Sequence, residues 1–315
     1  MKISIIFLRL FQFIVLTILF AVIYMLSSAP LAPFFPPIPS DSGLFPSPID
    51  FLFVSATQAL VIMTLLLSSK WYCWKLALAT SFSFYGVTTI MSQIETRYFL
   101  SDLTLPEGLL QRMFLSGVPT AFVFIPFAVF ILWKIKKPTI GIVYQPSTIP
   151  VKQWVAKLVV LGFIYLLLYF SAGYFIAWRN PDVRAFYNGI DHANFWMSIS
   201  YNWKNDPILF LFQFVRGFLW IIFALPVLRM TRGSVWSKAF MVGLLLGVPM
   251  NIGHILSNPL IPSASVRLSH MIETSTSTFI FGLAIVWLLH RSHHSVADVF
   301  GISKIGSPRP VNVTT

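Results

Sequence analysis

The chain has 315 residues, of which 57% are hydrophobic and only 10% charged, with a formal net charge of +12. A soluble domain carries about 25% charged residues, so this composition argues against a water-soluble globule; the long unbroken apolar runs argue equally against a lipid-embedded β-barrel, which is built from short alternating segments. The basic residues fall mostly in alternate loops rather than on one patch, a pattern that reads as membrane topology and not as nucleic-acid binding.

Each apolar run of about 20 residues is long enough to cross a bilayer core of about 30 Å. Eight such spans are predicted: 5–28, 51–68, 74–94, 112–134, 154–178, 207–228, 237–257 and 268–290. Lys2 and Arg9 followed by an apolar stretch to Leu26 resemble a signal peptide, but the run is long for one and is expected to remain as a true span. Loop 29–50 has seven prolines and no Lys or Arg, and is expected to be extended. Lys70 and Lys75, then Lys134, Lys136, Lys137 and Lys152, then Arg229, Arg232 and Lys238 mark the loops on one side, while loops 95–111 and 179–206 carry acidic residues. The positive-inside rule then places both ends and the basic loops in the cytoplasm of a cell-membrane protein. The lone Cys73 is expected to be inert packing.

The two halves resemble each other. Phe51-Leu-Phe53 matches Phe210-Leu-Phe212, Gly86-Val87 matches Gly247-Val248, and Phe122-Val-Phe124 matches Phe279-Ile-Phe281, at offsets of about 160 residues. Two four-helix repeats (1–137 and 154–291) in parallel orientation are expected, joined by a linker at 138–153 and followed by a disordered tail at 292–315. On this pairing the second copy gains ionisable groups: Arg216 stands opposite Thr57, Asn251 opposite Ile90, His254 opposite Gln93, His270 opposite Met113 and Glu273 opposite Ser116.

Ionisable groups in hydrocarbon are costly and turn inward, so they mark a candidate site. Asn251, His254 and Asn258 are spaced by three and four residues and so are expected to share one helix face. Arg267, His270, Thr274 and Ser277 form a similar stripe on span eight, with Glu273 one turn from His270, and a short link makes the two spans antiparallel neighbours. Glu95 and Arg97 form a smaller cluster at the outer end of span three, read either as an interfacial cap or, with Glu95 reaching across toward span seven or eight, as part of the site. Four readings follow. His254, His270 and Glu273 supply ligands for a divalent metal, leaving a position open for water or substrate. Glu273, as the expected counter-ion of Arg216, suits a transport-linked cavity open to the outer side between spans six, seven and eight. Arg97, Arg216 and Arg267 together suit a lipid headgroup or small anionic substrate. The fourth is that Asn, His, Ser and Thr only hold helices together, and the Thr274–Thr278 run is expected to do so.

His254-Ile-Leu-Ser-Asn258 resembles the HxxxN element of CAAX-type intramembrane proteases, but that family's paired glutamates, following arginine and FxxxH element are missing, and membership is not inferred. The leading expectation is a transporter-like or lipid-interacting membrane protein. The alternatives are a metal-dependent membrane enzyme acting on a lipid-linked or peptide substrate, and an accessory subunit whose loops dock a membrane-protein partner.

Overall fold

A computed structural model describes residues 2–35, 39–100, 105–136 and 149–300. Among these residues the architecture is all helical, apart from one isolated bridge between Ser69 and Thr231. Seven helices are long and apolar enough to cross a membrane, and at most half of each is buried within the protein. The rest, including Phe7, Leu115, Phe130, Phe163 and Leu167, faces outward. A helix that is apolar on its outer face as well as its inner one needs lipid around it. This is a multi-pass membrane protein.

In chain order the elements are α1 (Lys2–Ser28), α2 (Ser47–Ser68), α3 (Cys73–Tyr85), a π-helical turn (Gly86–Ile90), α4 (Met91–Leu100), α5 (Leu109–Phe122) and α6 (Phe124–Ile131). Then come α7 (Val151–Phe175), α8 (Pro181–Phe186), α9 (Phe195–Asn205), α10 (Pro207–Met230), α11 (Val235–Gly247), a 3-10 turn (Asn251–Ile255), α12 (Ala264–Leu289) and α13 (Val296–Val299). The outer helices start on sequence-coded caps: Asn180, Asn194 and Asp206 each accept a backbone N–H from the first turn that follows. The linker and tail expected from the sequence fall largely on 137–148 and 301–315, outside the described residues. The stretch 292–300 departs from the disordered expectation: Arg291 grips Asp298 with two bonds of 2.7 and 3.0 Å and Ser295 caps α13.

The basic loops meet at one end of the bundle. Lys134 Nζ donates to the Ser69 carbonyl at 2.8 Å and lies over the Tyr72 ring, where burial, with Arg232 and Arg9 nearby, holds its ammonium down to about 8. The loops after α2 and α10 bridge each other reciprocally: Lys70 N–H donates to the Met230 carbonyl and Arg232 N–H to the Ser68 carbonyl. At the same end Gln12 donates to the Ile131 carbonyl, and Lys157 donates to that of Arg291. Cys73 lies here too. It is exposed, with a left-handed φ of 52°, and is not buried packing as its apolar neighbours suggest.

From this end to mid-bundle the interior is solid. Leu16, Ile62, Leu66, Phe124, Trp220, Val227, Leu245, Phe281 and Ile285 belong to one core and are almost fully buried. A smaller apolar cluster, including Leu31, Leu100, Leu109, Leu260 and Val266, closes the opposite end. Between the two lies the candidate site.

Candidate functional site

A cavity of about 840 Å³ occupies the half of the bundle away from the basic end. It is wider than the three-helix pocket expected from the sequence. Both halves of the chain line it, including α1, α2, α4, α5, α7 and α12, whereas α10 contributes little beyond Leu209. Phe20, Tyr24, Phe51 and Val54 give the α1–α2 side an apolar wall, while Glu95, His270 and Glu273 give the α4–α12 side a polar one.

Two backbone irregularities shape that polar wall. The π-helical turn at Gly86–Ile90 resets the helical phase before α4, which carries Gln93 and Glu95 into the cavity wall and leaves Arg97 exposed on the outside. On span seven the α-helix stops at Gly247, so Asn251 and His254 sit on a 3-10 turn and Asn258 on the loop beyond. The expected single α-helical face therefore does not exist. A spacing of three still aligns Asn251 with His254, because 3-10 residues at i and i+3 eclipse. Asn251 does not line the cavity: its amide donates to the Gly247 carbonyl at 2.9 Å, capping the broken helix, and its oxygen meets the Thr274 hydroxyl. Asn258 does line it, with its own backbone N–H bonded to Ser40 Oγ at 2.8 Å.

The charge pairing differs from expectation. Arg216 is 2% exposed and its counter-ion is Glu95, at 3.0 Å, not Glu273. Glu273 instead bonds His270 Nδ1 at 2.9 Å, one turn away on α12. The two pairs are neighbours, since Glu95 and Glu273 are both electrostatic partners of His270 and of Tyr169. Glu95 thus reaches across to the second half, as its position suggested, but lands on α10. The His254 and His270 rings are 6.3 Å apart, and Tyr187 packs edge-on to His270 at 5.6 Å. Burial raises the Tyr187 phenol above its ordinary value, and the nearby carboxylates Glu95 and Glu273 raise it further.

The three arginines expected to converge on an anion go to three places. Arg97 points outward and Arg216 is spent on Glu95. Arg267, fully buried, donates to the carbonyls of Asp41, Ile261 and Pro262 at 2.6 to 2.9 Å. That clamp folds the Pro-rich loop back onto the link before α12, with Asp41 Oδ2 accepting the Ala264 N–H. With both terminal nitrogens donating to four carbonyls and the Ser40 hydroxyl of its own chain, and only the buried Nε left over, the guanidinium has no fork left for a ligand. For a metal, His254 and His270 offer two nitrogens, with Glu273 behind His270 as the orienting carboxylate. Among the described residues no three His, Cys, Asp or Glu side chains converge closely enough to hold an ion.

Several cavity residues carried no clear mark in the sequence: Asp50, Gln58, Gln93, Tyr169 and Tyr187. Asp50 and Gln58 could have been picked out as lone polar groups inside an apolar span; the tyrosines were hidden in an aromatic-rich chain. The Thr274–Thr278 run behaves as expected at one end, with the Thr278 hydroxyl bonded to the Leu246 carbonyl of α11 at 2.9 Å. No family, curated protein or solved structure matches this chain.

Proposed function

We propose that this membrane protein holds an amphipathic, lipid-like ligand in its cavity and works from one side of the bilayer. The observation that carries this reading is the placement of the 840 Å³ space: it ends on the solid core that fills the basic half. Ligand cavities run from about 300 to 1,000 Å³, and the apolar α1–α2 wall facing a polar α4–α12 wall matches a molecule with a tail and a head. Transport would require that whole core to part. A metal-dependent enzyme is the second reading, supported by the adjacency of His254 and His270.

The finer topology belongs to the same proposal. Helix runs from Cys73, bonded to the Lys134 carbonyl at the basic end, through Leu100 at the cavity end, which supports an eighth crossing. Parallel duplication is supported by the reciprocal bridge between the matched loops at Ser69 and Thr231 and by matched residues sharing the cavity: Gln93 with His254, Met113 with His270, Ser116 with Glu273. With the basic end cytoplasmic, the cavity lies in the outer half of the bilayer.

The test is to fill the space. Gly173 lines the cavity, and a side chain there would approach Glu273 Oε1. Protein purified from membranes and stripped of bulk detergent is expected to carry a stoichiometric amphiphile detectable by native mass spectrometry, and Gly173→Phe to lose it. Equal retention by the filled variant would refute the reading.

A further inference from the structure

The cavity is acidic. Asp50, Glu95, Asp206 and Glu273 line it, and among the described residues no lysine or arginine does. Arg216 lies behind the wall paired with Glu95, and Arg267, also outside the lining, is near enough to Asp50 to interact with it electrostatically. The Asp206 carboxylate accepts the Tyr98 hydroxyl at 2.7 Å, which stabilises it without cancelling its charge.

A second observation is independent of that charge. Four buried side-chain atoms of lining residues have no hydrogen-bond partner: Asp50 Oδ2, Gln58 Oε1, Gln93 Oε1 and His270 Nε2. Their residues Asp50, Gln58 and Gln93 are only 1%, 5% and 6% exposed. Three are carboxylate or amide oxygens, which accept, and the fourth is a ring nitrogen. The Gln58 amide is oriented by its Nε2, which donates to the Pro249 carbonyl at 2.6 Å, so the free atom is the oxygen. On Gln93, Nε2 faces Ser92 Oγ, again leaving the oxygen. On His270, Nδ1 faces Glu273 at 2.9 Å and Nε2 has no partner; in the neutral ring with its proton on Nδ1, Nε2 accepts. A buried acceptor without a donor costs roughly 1–3 kcal/mol. Gln93 and His270 stand on the polar α4–α12 wall, and Asp50 and Gln58 stand on α2 facing the same cavity. Together they favour a ligand that brings donors and positive charge.

We infer that the polar wall of this cavity recognises a protonated amine, the headgroup of the amphiphile proposed above, on which this inference rests. An ammonium supplies three donors on one compact charge. The ring faces of Tyr169 and Tyr187, close to both carboxylates, add the kind of surface on which cations rest.

The test uses the whole protein in phosphatidylcholine nanodiscs, with empty discs as the partition control. Dodecylamine, dodecanol and dodecanoate share a chain and differ only in the head. Calorimetric titration is expected to show dodecylamine binding at least tenfold tighter than the other two. Glu273→Gln and Gln93→Leu are each expected to weaken amine binding about tenfold, the second variant serving if the first does not fold. Competition by ethylammonium alone would assign the site to free amines, and its failure to compete would assign it to lipid-borne ones; both outcomes keep the inference. Equal affinity for amine, alcohol and carboxylate overturns it and leaves the cavity reading standing. So does displacement of the amine by zinc in wild type but not in His254→Ala. If none of the three amphiphiles binds above empty discs, the cavity reading itself falls.

Discussion

Arg216 carries a permanent charge into the middle of a helix bundle, and its environment follows from that. The guanidinium bonds Glu95 at 3.0 Å and the Gln213 oxygen at 2.8 Å, yet its Nε keeps no partner. Desolvating such a pair is costly, and the greater cost lies in removing one member, roughly 3–5 kcal/mol for the stranded charge. Glu95→Leu and Arg216→Met alone are therefore expected to destabilise by about that amount in denaturant titrations of the solubilised protein. The double variant should recover most of it, and a strictly additive loss would show that the pair is not coupled. Arg267 serves a different end at the same scale. Its terminal nitrogens donate to the Ser40 hydroxyl and to the carbonyls of Asp41, Ser42, Ile261 and Pro262, so its charge ties the two loops together over the cavity.

Among the elements, the α11–α12 pair depends on small residues. A Cβ on Gly282 would lie 2.7 Å from the Gly243 backbone, and one on Gly247 would lie 2.9 Å from Phe279. Without a hydrophobic force between helices in lipid, such close approach is what allows van der Waals packing and the Thr278–Leu246 bond to hold them. Gly282→Ala meets backbone, which cannot rotate away, and is expected to cost about 1–3 kcal/mol by overpacking, read as a lowered midpoint in thermal unfolding. An unchanged midpoint would mean the two helices can slide apart freely. The irregular turns matter equally. The π-helical turn begins at Gly86 and α11 ends at Gly247, positions matched between the halves, and each delivers polar side chains to the same cavity.

The molecule as a whole is polarised from end to end. One end gathers the basic loops over a dry core, and the other holds acidic groups around a space. That asymmetry predicts orientation, and the chain carries its own reporter. Cys73 is the single cysteine and is exposed at the basic end. A membrane-impermeant maleimide is expected to label it in inside-out vesicles and not in right-side-out ones. Labelling from the outer side would reverse the topology and move the cavity to the cytoplasmic face.

That the chain is a multi-pass helical membrane protein is legible in the sequence for a physical reason: apolar length acts locally, residue by residue, against a solvent that is known in advance. The polar inventory of the last two spans was legible on the same grounds, since hydrocarbon leaves an imidazole or carboxylate nowhere to go but inward. Which groups meet was not. Arg216 finds Glu95 rather than Glu273, because a π-helical turn shifts the phase of one helix and an early stop breaks another. Those irregularities depend on close packing at Gly86 against Phe223 and at Gly247 against Phe279. Partners so far apart along the chain are chosen by packing, and only the tertiary structure holds that choice.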